Sequence, residues 1–286
     1  MTKTVLITGT SSGVGLESTI LFAKQGYKVY ATMRNLKKAD ALRERIAAEN
    51  VSVEILSLDV TDTESIRSAV QTILDTDGRI NILVNNAGAG FAKTTEQATE
   101  DEIRWVTNVN YLGVVYCTKA VLPAMRKQKT GHIINITSVG GLVGQPFNEL
   151  YCGAKFAVEG YTEALATYIS DPFSIKLTCI EPGGISTEFM KSAIEKTTED
   201  GQMATGEYKA IFEQYATGIQ KRAASGENQV YQTPQEIAKI ILDVATSDNP
   251  PLRLRTSEWA EQFTTLKTQA DPNGSKIVEQ VRSGFL

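Results

Sequence analysis

Histidine is almost missing: His132 is the only one among 286 residues, which excludes a histidine-containing triad and a multi-histidine metal site. The three cysteines, Cys117, Cys152 and Cys179, are odd in number and far apart. They make neither a disulfide framework nor C-x-x-C metal spacing, and fit reduced thiols in a cytoplasmic setting. No basic tract interrupts a net charge of −4, so nucleic acid is not an expected partner. No uninterrupted apolar run is long enough to cross a bilayer, and no Lys/Arg-rich amphipathic segment suggests a membrane surface. The opening M-T-K-T-V-L-I-T-G enters a strand at once and lacks the long apolar region of a signal peptide. His132 itself begins an apparent strand, where a structural role is the expectation.

What remains is ordinary for a globular chain: 42% hydrophobic and 22% charged residues, enough to bury a sizeable core. Strands and helices alternate along it. Thr4–Ile7 is an apolar strand that ends in Thr8-Gly-Thr-Ser-Ser-Gly-Val-Gly15, and a helix runs from about Gly13 to Gln25, stopped by Gly26. Tyr27–Met33, Val51–Leu58, Ile80–Val84, His132–Thr137 and Ile175–Ile180 read as further strands, with Leu252–Leu254 as a last edge strand. Helices are expected over Leu36–Glu49, after a capping box at Thr61–Glu64, over Thr99–Lys127, and from Tyr151 to Ser170. Thr233-Pro-Gln-Glu236 caps another, whose Ile237, Ile240, Ile241 and Val244 form one stripe. No internal repeat occurs. The pattern predicts an α/β fold: one domain over 1–286, a Rossmann-type doubly wound parallel sheet with helices on both faces. Residues 1–130 would mainly bind a dinucleotide, 131–186 carry the catalytic part, and 233–286 supply a C-terminal helix and edge-strand region. Residues 187–232 are polar, without strand character, and contain Met190, Met203, Tyr208, Phe212, Tyr215 and Ile219 on short helices. A long insertion of this kind reads as a helical substrate lid or a plain surface excursion.

Ligands collect at the carboxyl ends of strands in such sheets. The first glycine turn, Arg34, Asp59, Asn86, Ser138 and Pro182 all fall at such ends. Gly9, Gly13 and Gly15 would let the backbone turn and approach a pyrophosphate at a helix N-terminus, although their G-x-x-x-G-x-G spacing is not the G-x-G-x-x-G fingerprint. At the end of the second strand Ala31-Thr-Met-Arg34 offers no carboxylate before Asp40. An NAD enzyme would place an acid there; Arg34 can fork onto a 2′-phosphate instead, so NADP(H) is preferred and NAD(H) is the second choice. Asp59, followed by Val60, is placed to accept from an adenine amino group, and Asn86-Ala87-Gly88 to let the adenosine approach; both also suit turns. Tyr151 and Lys155, four residues apart, share a helix face thirteen residues after Ser138. There the ammonium is expected to lower the phenol's pKa for general acid–base work.

Thr8-Gly9-x-x-x-Gly13-x-Gly15, Asn85-Asn86-Ala87-Gly88, Asn110 in N-V-N-Y-L-G, Ser138, Tyr151-x-x-x-Lys155 and Pro182-Gly183 together strongly resemble the single-domain short-chain dehydrogenases/reductases. V-Y-A-T-M-R-N, S-V-G-G-L-V-G-Q-P-F-N-E-L-Y-C-G-A-K-F-A-V-E-G and the late D-P-N-G-S resemble the estradiol 17β-dehydrogenase and retinol dehydrogenase branch. The resemblance implies Tyr151 as proton donor and Lys155 as pKa modulator and ribose ligand. It implies Ser138 as a hydrogen-bond donor to the substrate oxygen, and Asn110 as the holder of a water leading from Lys155 to solvent. It gives the phosphates to Ser11-Ser12-Gly13-Val14, the carboxamide to Ile185 and Thr187, and cofactor contacts to Pro182 and Gly183. Substrate contacts are expected at Val139, Gly140, Val143, Gln145, Asn148 and the lid, beside Ser138 and Tyr151. A polar Gln145 and a lid without histidine weigh against oestrogen. The expected partner is a small carbonyl or alcohol, and the family implies a homodimer or homotetramer through 99–127 and 149–170. The rival functions are an NAD-linked alcohol dehydrogenase, a non-catalytic dinucleotide sensor and a nucleotide-sugar epimerase. Against the epimerase stand the glycine spacing and the lack of a sugar-nucleotide domain.

Overall fold

Successive residues of the central strands belong to opposite faces of one sheet. Leu6, Leu83, Ile133 and Leu177 pack into one hydrophobic cluster, while Val5, Ile7, Ile82, Val84, Ile134 and Ile180 pack into another. A strand apolar on both faces must be covered on both, and burying each such side chain stabilises the fold by about 1.5–3 kcal/mol. The computed structural model describes residues 2–186, 206–224 and 231–285.

Seven parallel strands form the main sheet in the order β3-β2-β1-β4-β5-β6-β9. They are β1 (Thr4–Thr8), β2 (Lys28–Met33), β3 (Glu54–Ser57), β4 (Ile82–Asn85), β5 (Gly131–Ile136), β6 (Ile175–Glu181) and β9 (Arg253–Arg255). The order reverses between β1 and β4, which opens the crevice where the glycine turn lies. On the first face lie α3 (Thr63–Asp77), α5 (Gly113–Gln128) and α6 (Glu149–Phe173), with Val70, Val121 and Leu165 in the core. Opposite them lie α1 (Gly13–Lys24) and α8 (Pro234–Thr246), with Phe22, Ile237 and Ile241. The expected capping box opens α8: Thr233 accepts from Glu236 N–H, and Glu236 accepts from Thr233 N–H at 2.7 Å. The doubly wound α/β fold is as read from sequence.

Several local expectations are corrected. The helix expected over 36–49 is a single 3-10 turn at Leu36–Lys38 followed by α2 (Asp40–Ala48), because Asn35 caps the turn through Lys37 N–H. The third strand shrinks to Glu54–Ser57, paired only with β2 at the sheet edge. The cap of α3 is Asp62, which accepts from Glu64 N–H, and Thr61 instead bonds Asp59. The helix expected over 99–127 is α4 (Glu100–Thr107), a π-turn at Asn108–Leu112, then α5. In the insertion, Tyr231–Gln232 (β8) has strand character after all, pairing with Gly184–Ile185 (β7) in a two-stranded ladder. A helix α7 (Lys209–Ala224) precedes it, and α9 (Glu258–Thr268) and α10 (Ser275–Phe285) complete the chain. Met190, Met203 and Thr187 lie outside the described residues, as does the side chain of Ile219. All three cysteines are free and buried. His132 is buried, with Nε2 3.1 Å from the Thr178 hydroxyl, in keeping with a structural role.

Candidate active site

The glycine turn is locked from the neighbouring strand. Thr8 Oγ1 accepts from Asn86 N–H and Ala87 N–H at 3.1 and 3.0 Å, and Asn86 Nδ2 donates to the Thr8 and Gly9 carbonyls at 2.9 Å each. Gly9 has φ +71°, and a Cβ there would lie 2.7 Å from Ala87 Cα. A Cβ on Gly15 would lie 2.2 Å from the Gly9 carbonyl oxygen. Asn86 thus acts on the turn through its side chain and leaves the cradle's surface to backbone. Ser12, the N-cap of α1, makes no side-chain cap, and no acid lies in the first turn. The helix start therefore presents N–H groups and positive dipole with nothing anionic beside them, a fit for pyrophosphate. Ser11, Gly13 and Val14 line the same turn.

Arg34 follows β2 with its side chain 68% exposed, and its Nε lies 4.0 Å from Asp59 Oδ2. The other Asp59 oxygen accepts from Thr61 N–H and Oγ1–H at 2.9 and 2.7 Å. Asp59 thus bonds its own turn through one oxygen, and its other oxygen faces Arg34. Val60 packs against Gly113, whose Cβ would fall 2.9 Å from the valine Cβ.

Asn110 is fully buried in the π-turn. Its Oδ1 accepts from Ala89 N–H at 3.0 Å, and its Nδ2 donates to Ala89 O and Val106 O at 2.9 and 3.0 Å. The extra residue in the turn aims this side chain at the segment after β4. Gly88 lies between Asn110 Oδ1 and Lys155 Nζ, 3.1 and 3.8 Å from where its Cβ would stand.

Ser138 lies two residues past the end of β5 and caps a 3-10 turn, accepting from Gly140 N–H at 3.0 Å. Across β6, Thr137 N–H donates to Ile180 O at 2.8 Å and Val139 N–H to Pro182 O at 3.0 Å, which joins the serine loop to the Pro182-Gly183 turn. Beyond that turn, Ile185 stands opposite Gln232 in the β7–β8 ladder, and Ser186 N–H donates to Gln232 O at 2.9 Å. Gln145 Nε2 and Ser138 Oγ stand 3.4 and 3.3 Å from the Cβ direction of Gly140, so both flank that glycine. Val139 is buried and Val143 half-buried beside it.

Tyr151 and Lys155 share a face of α6. The Lys155 ammonium lies 5.7 Å from the Tyr151 ring centre, over the ring, and donates to Ile136 O at 2.9 Å. Burial pushes the Tyr151 phenol up to about 12, against an opposing hydrogen bond with Ser138. This corrects the expectation of a lowered phenol: the cation is over the ring, and desolvation outweighs its pull. Burial also lowers Lys155 to about 8, countered by the charge of Glu159. Tyr151 is therefore a protonated donor at neutral pH, and Lys155 titrates close to it.

Helix α7 packs beside this segment. Phe212 and Tyr215 pack on Phe147 at 5.1 and 5.5 Å between ring centres, and Asn148 Nδ2 donates to the Tyr215 hydroxyl at 3.3 Å. Phe147 takes φ +62°, unusual for an aromatic residue. Two polar elements escaped sequence reading. One is the buried relay Asn85–Asn135–Thr162, with Nδ2-to-oxygen distances of 2.9 Å; asparagines inside apolar strands were its only trace. The other is the acid Glu159, one turn beyond Lys155 and 6% exposed, whose signal was a helical spacing of four.

A backbone cradle for a dinucleotide beside a hydroxyl pair and a buried lysine defines an NAD(P)-dependent oxidoreductase. Comparison with known proteins agrees. Residues 3–198 match the short chain dehydrogenase family. The chain is 38% identical over 253 residues to a 3-ketodihydrosphingosine reductase of Bacteroides thetaiotaomicron, covering 88% of this chain and 86% of the other. It is 36% identical to retinol dehydrogenase 8 of Bos taurus, covering 96% and 88%, and 36% identical to human 17-beta-hydroxysteroid dehydrogenase type 1, covering 96% and 83%. Among solved structures it is similar to an actinorhodin polyketide ketoreductase variant with NADPH, at TM-score 0.76 and 26% identity, covering 89% and 95%. The chain belongs to the short-chain dehydrogenase/reductase family, on the side of its estradiol- and retinol-dehydrogenase-like members. Among the described residues no helix is long and apolar enough to cross a membrane.

Proposed function

We propose that this oxidoreductase is an NADPH-preferring carbonyl reductase and alcohol dehydrogenase, interconverting a ketone or aldehyde with its alcohol. What supports the reading is the Tyr151 hydroxyl set against Ser138, on the helix face that Tyr151 shares with Lys155. The Gly9–Gly15 turn would hold the pyrophosphate, Arg34 a 2′-phosphate, and Lys155 the nicotinamide ribose. Ile185 and Thr187 would hold the carboxamide. When bound there, a reduced nicotinamide would supply the hydride that a carbonyl carbon accepts. Tyr151 donates its proton to the carbonyl oxygen, and Ser138 donates a hydrogen bond to that oxygen as charge develops. Lys155 offsets the charge left on the phenolate. Asn110, which bonds the Ala89 backbone, would fix a water that links Lys155 to solvent for proton return.

Gln145 and Asn148 would offer two amides to the substrate, and Phe147, Phe212 and Tyr215 a wall of rings. That combination favours a carbonyl compound carrying an apolar body and a polar group. The α4–α5 segment and α6 would form the interface of a homodimer or homotetramer, and the buried free cysteines suit the cytoplasm. The test is a panel of ketones, aldehydes, retinoids and steroids with NADPH and NADH in parallel, read by cofactor absorbance. Faster turnover with NADPH supports the reading. Turnover of alcohols with NAD alone would favour an NAD-linked dehydrogenase, and cofactor binding without any turnover a sensor.

A further inference from the structure

Two asparagines lie side by side inside apolar strands, on the sheet face that α5 and α6 cover. Asn85 of β4 is in register with Asn135 of β5, and both are buried. Asn85 Nδ2 donates to Asn135 Oδ1 at 2.9 Å and to Thr118 Oγ1 of α5 at 3.3 Å. Asn135 Nδ2 donates to Thr162 Oγ1 of α6 at 2.9 Å, and that hydroxyl donates in turn to the Val158 carbonyl at 2.7 Å. The hydrogens run one way, from β4 through β5 into α6. Around them the core is apolar, with Leu83, Ile133 and Leu165 in it. Burying amides there is costly unless each is bonded, and the bonds form in one alignment of the elements only. A relay of this kind specifies position more than it adds stability.

Its ends meet the candidate site. Asn135 directly precedes Ile136, whose carbonyl accepts from Lys155 Nζ at 2.9 Å. Thr162 follows Lys155 by seven residues, two turns along the same face of α6. The helix is therefore fastened to β5 at two heights, about 10 Å apart along its axis. A slide of α6 along the strand would break both fastenings. Past its end β5 continues to Ser138, and α6 carries Tyr151, so the alignment of these two elements sets how the two hydroxyls meet. At the other end, Asn85 directly precedes Asn86, whose side chain holds the Thr8 and Gly9 carbonyls of the glycine turn.

We propose that Asn135 and Thr162 are positioning residues: their bond fixes the axial setting of α6 on β5, and with it the approach of Tyr151 to Ser138. The proposal deepens the catalytic reading of Tyr151 and Ser138 given above and rests on it. Both residues act through the elements they join.

The test is Thr162→Val, which keeps the side chain's shape and removes its hydroxyl, beside Thr162→Ser, which restores the hydroxyl. Thr178→Val is the control. Thr178 is equally buried in β6, and its hydroxyl donates to Pro251 O at 2.8 Å and faces His132, far from the relay on the opposite face of the sheet. Thr162→Val lowers kcat for carbonyl reduction roughly 10- to 100-fold, as misplacement of about 1 Å does, with KM and NADPH affinity nearly constant. Thr162→Ser recovers most of the rate, and Thr178→Val keeps it. Asn135→Leu gives the same fall and carries the test if Thr162→Val does not fold; the double variant is no slower than either single one, because both break one link. A second readout needs no turnover: the ¹³C-tyrosine signal of Tyr151, assigned by its loss in Tyr151→Phe, moves in Thr162→Val and stays in place in Thr162→Ser and Thr178→Val. An unmoved Tyr151 signal in Thr162→Val overturns the proposal, as does an unchanged kcat there or an equal fall in Thr178→Val. A moved signal together with full turnover in Tyr151→Phe would instead sink the catalytic reading and leave the relay standing.

Discussion

Lys155 reaches past the Tyr151 ring and donates to the carbonyl of Ile136, 2.9 Å away, at the last residue of β5. One helix and one strand end are thereby tied together under the site. The bond fixes the ammonium where burial lowers it to about 8, while the phenol stays protonated to about 12. Carbonyl reduction should accordingly be level through neutral pH and fall with an apparent midpoint near 8 as Lys155 loses its charge. A profile that stays flat to about pH 10, where a model lysine titrates, contradicts this assignment.

Cofactor choice follows from Arg34. Its guanidinium is exposed, and Asp59 at 4.0 Å is a loose partner. Hydrogen bonds to a charged group contribute about 1.5–3 kcal/mol, so Arg34→Asp should weaken NADPH binding roughly 10- to 100-fold and spare NADH. Fluorescence titration with both cofactors checks it; an unchanged ratio rules Arg34 out as the phosphate reader.

Gly15 gives a prediction that runs against helix propensity. Glycine to alanine in a helix normally gains about 1 kcal/mol, and Gly160 in α6, with nothing within 4 Å of its Cβ direction, should behave that way. At Gly15 the new methyl meets the Gly9 oxygen at 2.2 Å. Gly15→Ala should cost about 1–3 kcal/mol of stability and abolish tight cofactor binding, whereas Gly160→Ala stabilises. Urea unfolding and cofactor titration of the two variants decide it.

His132 sets part of the acid limit of stability. Burial lowers it from 6.5 to about 3, so the unfolded chain binds the proton more readily than the folded one. The stability is present above 6.5 and is lost as pH falls toward about 3. At about pH 5 the loss is about 2 kcal/mol. His132→Phe should flatten the slope of unfolding free energy between pH 6.5 and 4; an unaltered slope shows that other groups govern it.

The contact between α7 and Asn148 should separate binding from chemistry. Tyr215→Phe removes the hydroxyl that accepts from Asn148 Nδ2. If α7 only shapes the substrate wall, KM rises several-fold with kcat nearly constant; a fall in kcat alone argues against that role.

The doubly wound sheet was legible because its strands are apolar on both faces and end in glycine, asparagine, serine or proline. Tyr151, Lys155 and Ser138 were legible as a set because a helical spacing and a strand end bring them to one place. The π-turn at Asn110 was not legible, since a one-residue bulge leaves apolar periodicity nearly intact on either side. The pKa of Tyr151 was misjudged for a related reason: spacing on a helix face gives proximity but says nothing of burial. The Asn85–Asn135–Thr162 relay depends on β4, β5 and α6 arriving from separate parts of the chain, information that no local pattern holds.

The most direct measurement compares Tyr151→Phe with the parent protein for NADPH affinity and for carbonyl reduction. Loss of the donor hydroxyl should lower kcat by roughly 10²- to 10⁴-fold and leave the NADPH dissociation constant within about twofold, since the cradle and Arg34 are untouched. Turnover at the parent rate in the variant would contradict the account.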